Sequence, residues 1–490
     1  MSRLARISLS LLGLTAMLIA AGCSSHGRPA TATAAPSPAA APRAEAPADA
    51  SHFRLPDYRQ VRLDNGLTLM LMEQHEVPLI AVDVSLPGGA LADHGRSGLA
   101  GLTAESLLFG TAELTREELD RQLDFIGARV RSSANKEFNR LSASFAAGDT
   151  DLMLPLLADI LLRPAFDAAE FDRYQERRLA ELTQQKESPR RVIGNYFDKL
   201  VFGRHPYAAV ADGEAGTVAA VTVDDVRDFH RRWYVPAGAV IAVVGDFETT
   251  ALQRELTALF GDWTGRPAEQ VRMPDPTPPD HSRVLLVDKA DARESTFYIG
   301  GLGIPRSHPD YVAIQVVNTV LGGRFTSWLN DELRVNAGLT YGASSSFAPY
   351  RRGGSFHIGS FTPTATTSEA LDLAVTTYDR LWKQGIDEQT LASAKAYVKG
   401  QFPLEYETSG QLARLLVEMH DYGFDESFID EFEDRVDRLT VDEARRVIDA
   451  VFPRENLQFV VVGQAAAIRD QVARYGELIE VDIMQEGFDF

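Results

Sequence analysis

The sequence predicts an α+β fold made of two homologous halves, with mostly antiparallel sheets flanked by helices. Three observations carry that reading. Short runs of period-two hydrophobicity pair as hairpins and are interspersed with helical segments that carry capping residues. A two-part feature repeats at long range: Thr222-Val-Asp-Asp-Val leads to Val240-Ile-Ala-Val-Val-Gly245, and Thr440-Val-Asp-Glu-Ala leads to Leu457-Gln-Phe-Val-Val-Val-Gly463, both displaced by 218 residues. Between the two copies, residues 265–282 (GRPAEQVRMPDPTPPDHS) are Pro-rich and unpatterned, as a linker would be.

At the N-terminus, Arg3 and Arg6 precede an apolar run over residues 7–21, too short for a membrane span and ending in small residues like a secretory leader. Cys23 follows directly. Ile19-Ala-Ala-Gly-Cys23 resembles a lipoprotein cleavage box, in which Cys23 becomes the lipidated first residue; the alternative is an ordinary leader with an incidental Cys. Cys23 is the only cysteine, so the mature fold contains no disulfide despite an oxidising destination. The Ala/Pro-rich stretch that follows cannot form a core and reads as an extended tether. The expected organisation is a leader at 1–22, a tether at 23–52, one half at 53–264, the linker at 265–282 and a second half at 283–490. Ser24 and Ser25, with no Asp after the Cys, point to the outer membrane facing the periplasm.

The first half opens with a hairpin, in which Asn65-Gly66 joins residues 61–64 to 67–71. A strand follows over about 79–86, then a helix near 98–111. Thr115 and Glu118 cap the next helix, with Leu114 placed to staple against Leu119. Alternation over 129–145 predicts another hairpin, and 149–162 and 168–185 read as helices. Thr222 and Thr440, each with a carboxylate three residues on, form capping boxes for helices that feed β-branched strands ending in Gly. In the second half a helix over 311–333, interrupted at Gly322-Gly-Arg-Phe325, precedes a strand over 341–347.

The formal charge is −20, and losing Arg3 and Arg6 makes it −22, which argues against nucleic acid or an anionic membrane surface as a partner. An acidic chamber favouring basic peptides fits this balance.

Residues 98–111, GLAGLTAESLLFGT, resemble the metal-binding helix of the insulinase/pitrilysin (inverted zincin) peptidases, which reads approximately G-L-A-H-F-L-E-H-M-L-F-x-G-T. The slots of the two zinc-binding His and the catalytic Glu carry Gly101, Glu105 and Ala104. Neither Gly nor Ala can donate a side-chain lone pair. The ten His stand at 26, 52, 75, 94, 205, 230, 281, 308, 357 and 420, so no H-E-x-x-H or H-x-x-E-H exists. His75 and His94 read as exposed loop residues, and His205 as a turn position. A metal site assembled from distant His stays conceivable. Glu181, eight residues before Pro189, matches the family's third ligand. Glu105 and Glu181 with water would suit Mg or Ca better than Zn; the alternative is a solvated Glu181 and a tolerated Glu105.

The order of Gly98-Leu-Ala, Gly110-Thr111, His205-Pro-Tyr207, Tyr234-Val-Pro236 and Val243-Val-Gly-Asp246 extends the resemblance over about 55–475. It implies two halves, each of two related modules, closing like a clamshell. In the second half, Glu332-Leu-Arg334-Val-Asn-Ala-Gly338-Leu-Thr-Tyr341 resembles the segment in which the family places an Arg and a Tyr seven residues apart, over the zinc site. What the resemblance implies is the metal-free subunit of a heterodimeric peptidase. Arg334 and Tyr341 would bind substrate and stabilise charge, while a homologous partner carrying H-x-x-E-H supplies the zinc. This chain itself would bind no cofactor and touch the membrane only through its lipid anchor. Peptide is expected as an added strand on residues 129–145. Two alternatives stay open: an inactive scaffold or peptide-binding lipoprotein of the same fold, and an autonomous hydrolase using a metal at Glu105 and Glu181.

Overall fold

The computed structural model describes residues 53–265 and 273–490. The leader, Cys23 and the tether lie outside the described residues. No helix among the described residues is long and apolar enough to cross a membrane.

Two six-stranded sheets organise the chain. In chain order the strands are β1 (Arg59–Arg62), β2 (Thr68–Glu73), β3 (Leu79–Pro87), β4 (Arg129–Ala134), β5 (Phe138–Ala146), β6 (Val240–Gly245), β7 (Arg283–Asp288), β8 (Glu294–Gly303), β9 (Ala343–Pro349), β10 (Gly354–Pro363), β11 (Gln458–Gly463) and β12 (Glu477–Asp482). The first sheet runs β1-β2-β6-β3-β5-β4 and the second β12-β7-β11-β8-β10-β9. Most neighbours are antiparallel, but β6 pairs parallel with β2, and β7 pairs parallel with both β11 and β12. Each half therefore holds one mixed sheet with its helices, and the two sheets are the repeated units of the chain.

The repeated strands β6 and β11 lie inside their sheets and are buried at every position. That burial explains their unbroken β-branched runs: a strand covered on both faces gains nothing from polar alternation. Asn65-Gly66 makes the predicted turn, with Gly66 at φ 92°. Thr115, Thr222 and Thr440 each close the predicted capping box. The helix expected over 311–333 is more broken than its pattern indicates. It is α-helical at Tyr311–Asn318, widens at Thr319–Gly323, breaks at 324–327, and resumes at Trp328–Asn330 and Asp331–Asn336. The following strand begins two residues late, at Ala343.

The halves interlock by exchanging helices. Helix Pro189–Phe202 packs on β8 and β11 of the second sheet, while helix Ser409–Tyr422 packs on β3 and β6 of the first. Their starts differ by 220 residues (409 − 189), close to the sequence repeat, so the exchange is reciprocal. Phe197 and Tyr196 bury in one seam with Val460 and Val462. Leu416 and Met419 bury in the other with Met70, Ala81 and Ala242. Each sheet thus loses water from a face that its own half leaves open, and the two halves form one compact unit.

Candidate functional site

The helix that resembles the metal box spans Leu99–Ser106. Its start is held by Asp93, whose buried carboxylate accepts the backbone N–H of Gly98 and of Ala100, each at 2.8 Å. Gly98 itself has φ +94°, and a Cβ there would stand 2.8 Å from the Cα of Gly213. Gly110, with φ +108°, would place a Cβ 2.7 Å from the carbonyl of Leu114. Both glycines are demanded by backbone conformation and close approach, independently of any metal. Gly101 differs: a Cβ would meet only Ala211 O at 3.5 Å, an ordinary contact. Crowding at the Cβ therefore does not explain the missing histidine.

Gly101 and Glu105 line a small cavity of about 120 Å³ with Tyr174, Arg178, Asp212 and the end of β4, Ser133 and Ala134. Glu105 and Glu181 come close enough to repel each other, as the sequence reading allowed. A guanidinium, however, lies among the carboxylates. Arg178 reaches Glu181 at 3.3 Å and Asp212 at 3.1 Å, and its side chain is largely buried. Arg177 reaches the other oxygen of Glu181 at 3.7 Å. Burial raises the Glu105 carboxyl, and the Arg178 charge opposes that rise. Burial also pushes the Tyr174 hydroxyl up to about 12, with the Glu105 charge adding to the effect.

These residues do not fit zinc: no imidazole is present, and the positive charge that carboxylates attract is supplied by arginine. The same guanidinium argues against Mg or Ca at Glu105 and Glu181. Among the described residues, no group of three or more His, Cys, Asp or Glu is arranged to hold a metal. His75 and His94 are exposed, and His205 caps the turn Pro206–Ala208 by accepting the Tyr207 N–H at 3.1 Å.

Arg334 and Tyr341 lie elsewhere on the chain and do not line the Glu105 cavity. Gly338, at φ +65°, reverses the chain after Asp331–Asn336, and Leu339 donates back to Leu333 O at 2.8 Å. From β10, Ser360 donates to Thr340 and Gly342, and Thr362 donates to Leu339 O. This clamp fixes the loop while Tyr341 stays 83% exposed. Tyr341 makes no hydrogen bond or ring contact among the described residues. The Arg334 guanidinium lies 4.4 Å from the centre of the Phe325 ring, and Phe325 and Val335 are also exposed.

The repeat exposes a feature that motif reading passed over. Adding 218 to Gly101 and Glu105 gives Thr319 and Gly323, and both line a cavity of about 650 Å³ in the second half. Arg306 sits in its wall, 4.2 Å from the Tyr311 ring and 4.8 Å from the Phe428 ring. The offset alone points to Thr319 and Gly323, whereas Arg306 is brought there only by folding.

Fold and site together define a two-half α+β chain of peptidase type that keeps the frame of a metal helix without its ligands. Residues 69–209 match the family described as Insulinase (Peptidase family M16), and residues 220–398 match the Peptidase M16 inactive domain. The chain belongs to the M16 insulinase family. Among its relatives is the "Uncharacterized zinc protease YmxG" of Bacillus subtilis, 22% identical over 71% of this chain and 85% of that protein. The "Non-peptidase homolog YmxG" of Helicobacter pylori is 22% identical over 80% of this chain and 90% of that one. Subunit 1 of the bovine mitochondrial cytochrome b-c1 complex is 24% identical over 55% and 56%. The solved peptidase M16 inactive domain from Pseudomonas fluorescens shares the fold, with a TM-score of 0.78 at 24% identity over 83% of this chain and 98% of that one.

Proposed function

We propose that the chain is the metal-free partner subunit of a heterodimeric zinc peptidase. Arg334 and Tyr341 bind peptide carbonyl oxygens at a site whose zinc and general base belong to a homologous chain with H-x-x-E-H. One observation carries the reading: Tyr341 is held by a clamped loop yet stands 83% exposed, without a hydrogen-bond partner among the described residues. A large side chain in that state suits a surface completed by another molecule, and the same half also exposes Phe325 and Val335. Tyr341 donates a hydrogen bond, and Arg334 offers charge-assisted ones. Peptide lies along the outer edge of β4, whose far end, Ser133 and Ala134, borders the Glu105 cavity. The lipid on Cys23 holds the pair at the outer membrane, on the periplasmic side of the envelope.

The test is an affinity pull-down of the tagged mature chain from its own envelope extract, assayed for peptidase activity and zinc with and without the co-purifying protein. Expected is a chain of similar size carrying H-x-x-E-H, activity only in the mixture, and release from the membrane fraction by Cys23→Ser. In the reconstituted pair, Tyr341→Phe should lower turnover about a hundredfold or more, as loss of an oxyanion donor does. Unchanged turnover would remove the catalytic role. A second reading, an inactive scaffold, is favoured by the likeness to the cytochrome b-c1 subunit and the non-peptidase homolog. Recovery of this chain alone, inactive and metal-free, would select it.

A further inference from the structure

The face of the first sheet beneath the start of helix Ser409–Tyr422 carries a cavity of about 380 Å³ beside the outer strand β4. Strand register shows which side chains share that face. Arg129 lies opposite Ser144, which lies opposite Ala81, and Arg131 lies opposite Ser142, which lies opposite Asp83. Two adjacent rows across three strands therefore end at the sheet edge in arginine. Arg414, from the helix, lines the same cavity.

All three arginines are exposed, and none makes a hydrogen bond or ion pair among the described residues. Asp83, the acid that lines the trough, feels the Arg414 charge but has Arg140 at 3.6 Å, while Arg414 also borders the second-half cavity with Glu405 and Glu418. In a chain of net charge −20, three arginines left without carboxylate partners around one trough form a local positive field. That field is opposite in sign to the acidic chamber that bulk charge allows.

The position of the trough defines the ligand. β4 is the outermost strand of its sheet, so its outer backbone groups are open to strand addition. An added strand places every second side chain on the trough face, spaced by about 7 Å like Arg129 and Arg131 themselves. We infer that the β4 edge selects extended peptides with Asp or Glu at alternate positions, read by Arg129 and Arg131, with Arg414 closing over them. This deepens the peptide-docking reading above and rests on it. It gives that reading a substrate class, acidic rather than basic peptide.

The experiment uses the purified mature chain and two fluorescein-labelled nonapeptides, one alternating Thr with Glu and one alternating Thr with Gln, followed by anisotropy. The Glu peptide should bind roughly tenfold tighter at low salt, as a few exposed charge pairs allow, and the gap should close as salt rises. In R129Q/R131Q the gap should shrink to the small part that Arg414 supplies while the Gln peptide binds as before, which shows that the sheet edge is intact. R414Q should narrow the gap in part. Equal affinity of the parent chain for both peptides would overturn the charge selection and leave edge docking standing. Absence of binding by either peptide would overturn edge docking and the selection together.

Discussion

At the scale of single residues, the old metal site shows how a motif persists after its chemistry is gone. Gly98 and Gly110 stay because their positive φ angles and the backbone beside them exclude a Cβ. Gly101 has no such constraint, so the site should be partly rebuildable. Gly101→His with Glu105→His puts two imidazoles one helical turn apart, with Glu181 as a third ligand. Arg178 holds the place of the cation, so this double variant should purify with little zinc. Adding Arg178→Leu should bring zinc toward one equivalent, measured by metal analysis after dialysis. Zinc at one equivalent in the double variant would show that Arg178 is not the obstacle.

At the scale of elements, the paired capping boxes at Thr222 and Thr440 are the best-defined local signals in the chain. In each, the Thr hydroxyl accepts the N–H three residues on, and the carboxylate there accepts the Thr N–H. Both carboxylates, Asp225 and Glu443, also stand where the helix dipole favours negative charge. Thr222→Ala and Thr440→Ala should each cost about 1 kcal/mol in urea unfolding. The two caps serve different halves, so their costs should add in the double variant. A marked departure from additivity would mean that the helices are coupled through the exchanged pair Pro189–Phe202 and Ser409–Tyr422.

At the scale of the molecule, the halves meet over a buried polar seam as well as through the exchanged helices. Asp421 accepts from Arg140 and from Ser85 across the seam, each at 2.8 Å. Glu137 accepts from Tyr207 at 2.8 Å, Tyr422 at 3.2 Å and the backbone of Arg351 at 3.0 Å. Asp83 lies beside this network, and burial pushes its carboxyl up to about 6 despite the nearby Arg140 and Arg414 charges. The folded state therefore holds the Asp83 proton more tightly than the unfolded chain does. That contribution is fully present below the ordinary carboxyl value and is lost as pH rises through about 6. Asp83→Asn removes the dependence, so its stability relative to the parent should rise by roughly 2–3 kcal/mol between pH 4 and pH 8. Denaturation curves of both proteins at the two pH values check this, and a pH-independent difference would refute it.

Much of this was legible in the chain, because it depends on near neighbours. The Asn65-Gly66 turn, the capping boxes at Thr115, Thr222 and Thr440, the buried runs of β6 and β11, the lost ligands at Gly101 and Glu105 and the lost general base at Ala104 are all local facts of residue type and spacing. The 218-residue repeat made the two-half plan visible for the same reason. Helix breaks at 319–327 were only partly legible, since two adjacent glycines mark an interruption without setting its geometry. Tertiary structure alone decided that Arg178 stands among Glu105, Glu181 and Asp212, that Tyr341 is left exposed, and that Arg129, Arg131 and Arg414 gather around one trough. Apart from the i,i+3 pair Arg178–Glu181, those arrangements bring together segments dozens to hundreds of positions apart. Their charges meet only after strand pairing and helix exchange have buried the apolar faces, and that packing is a property of the whole chain.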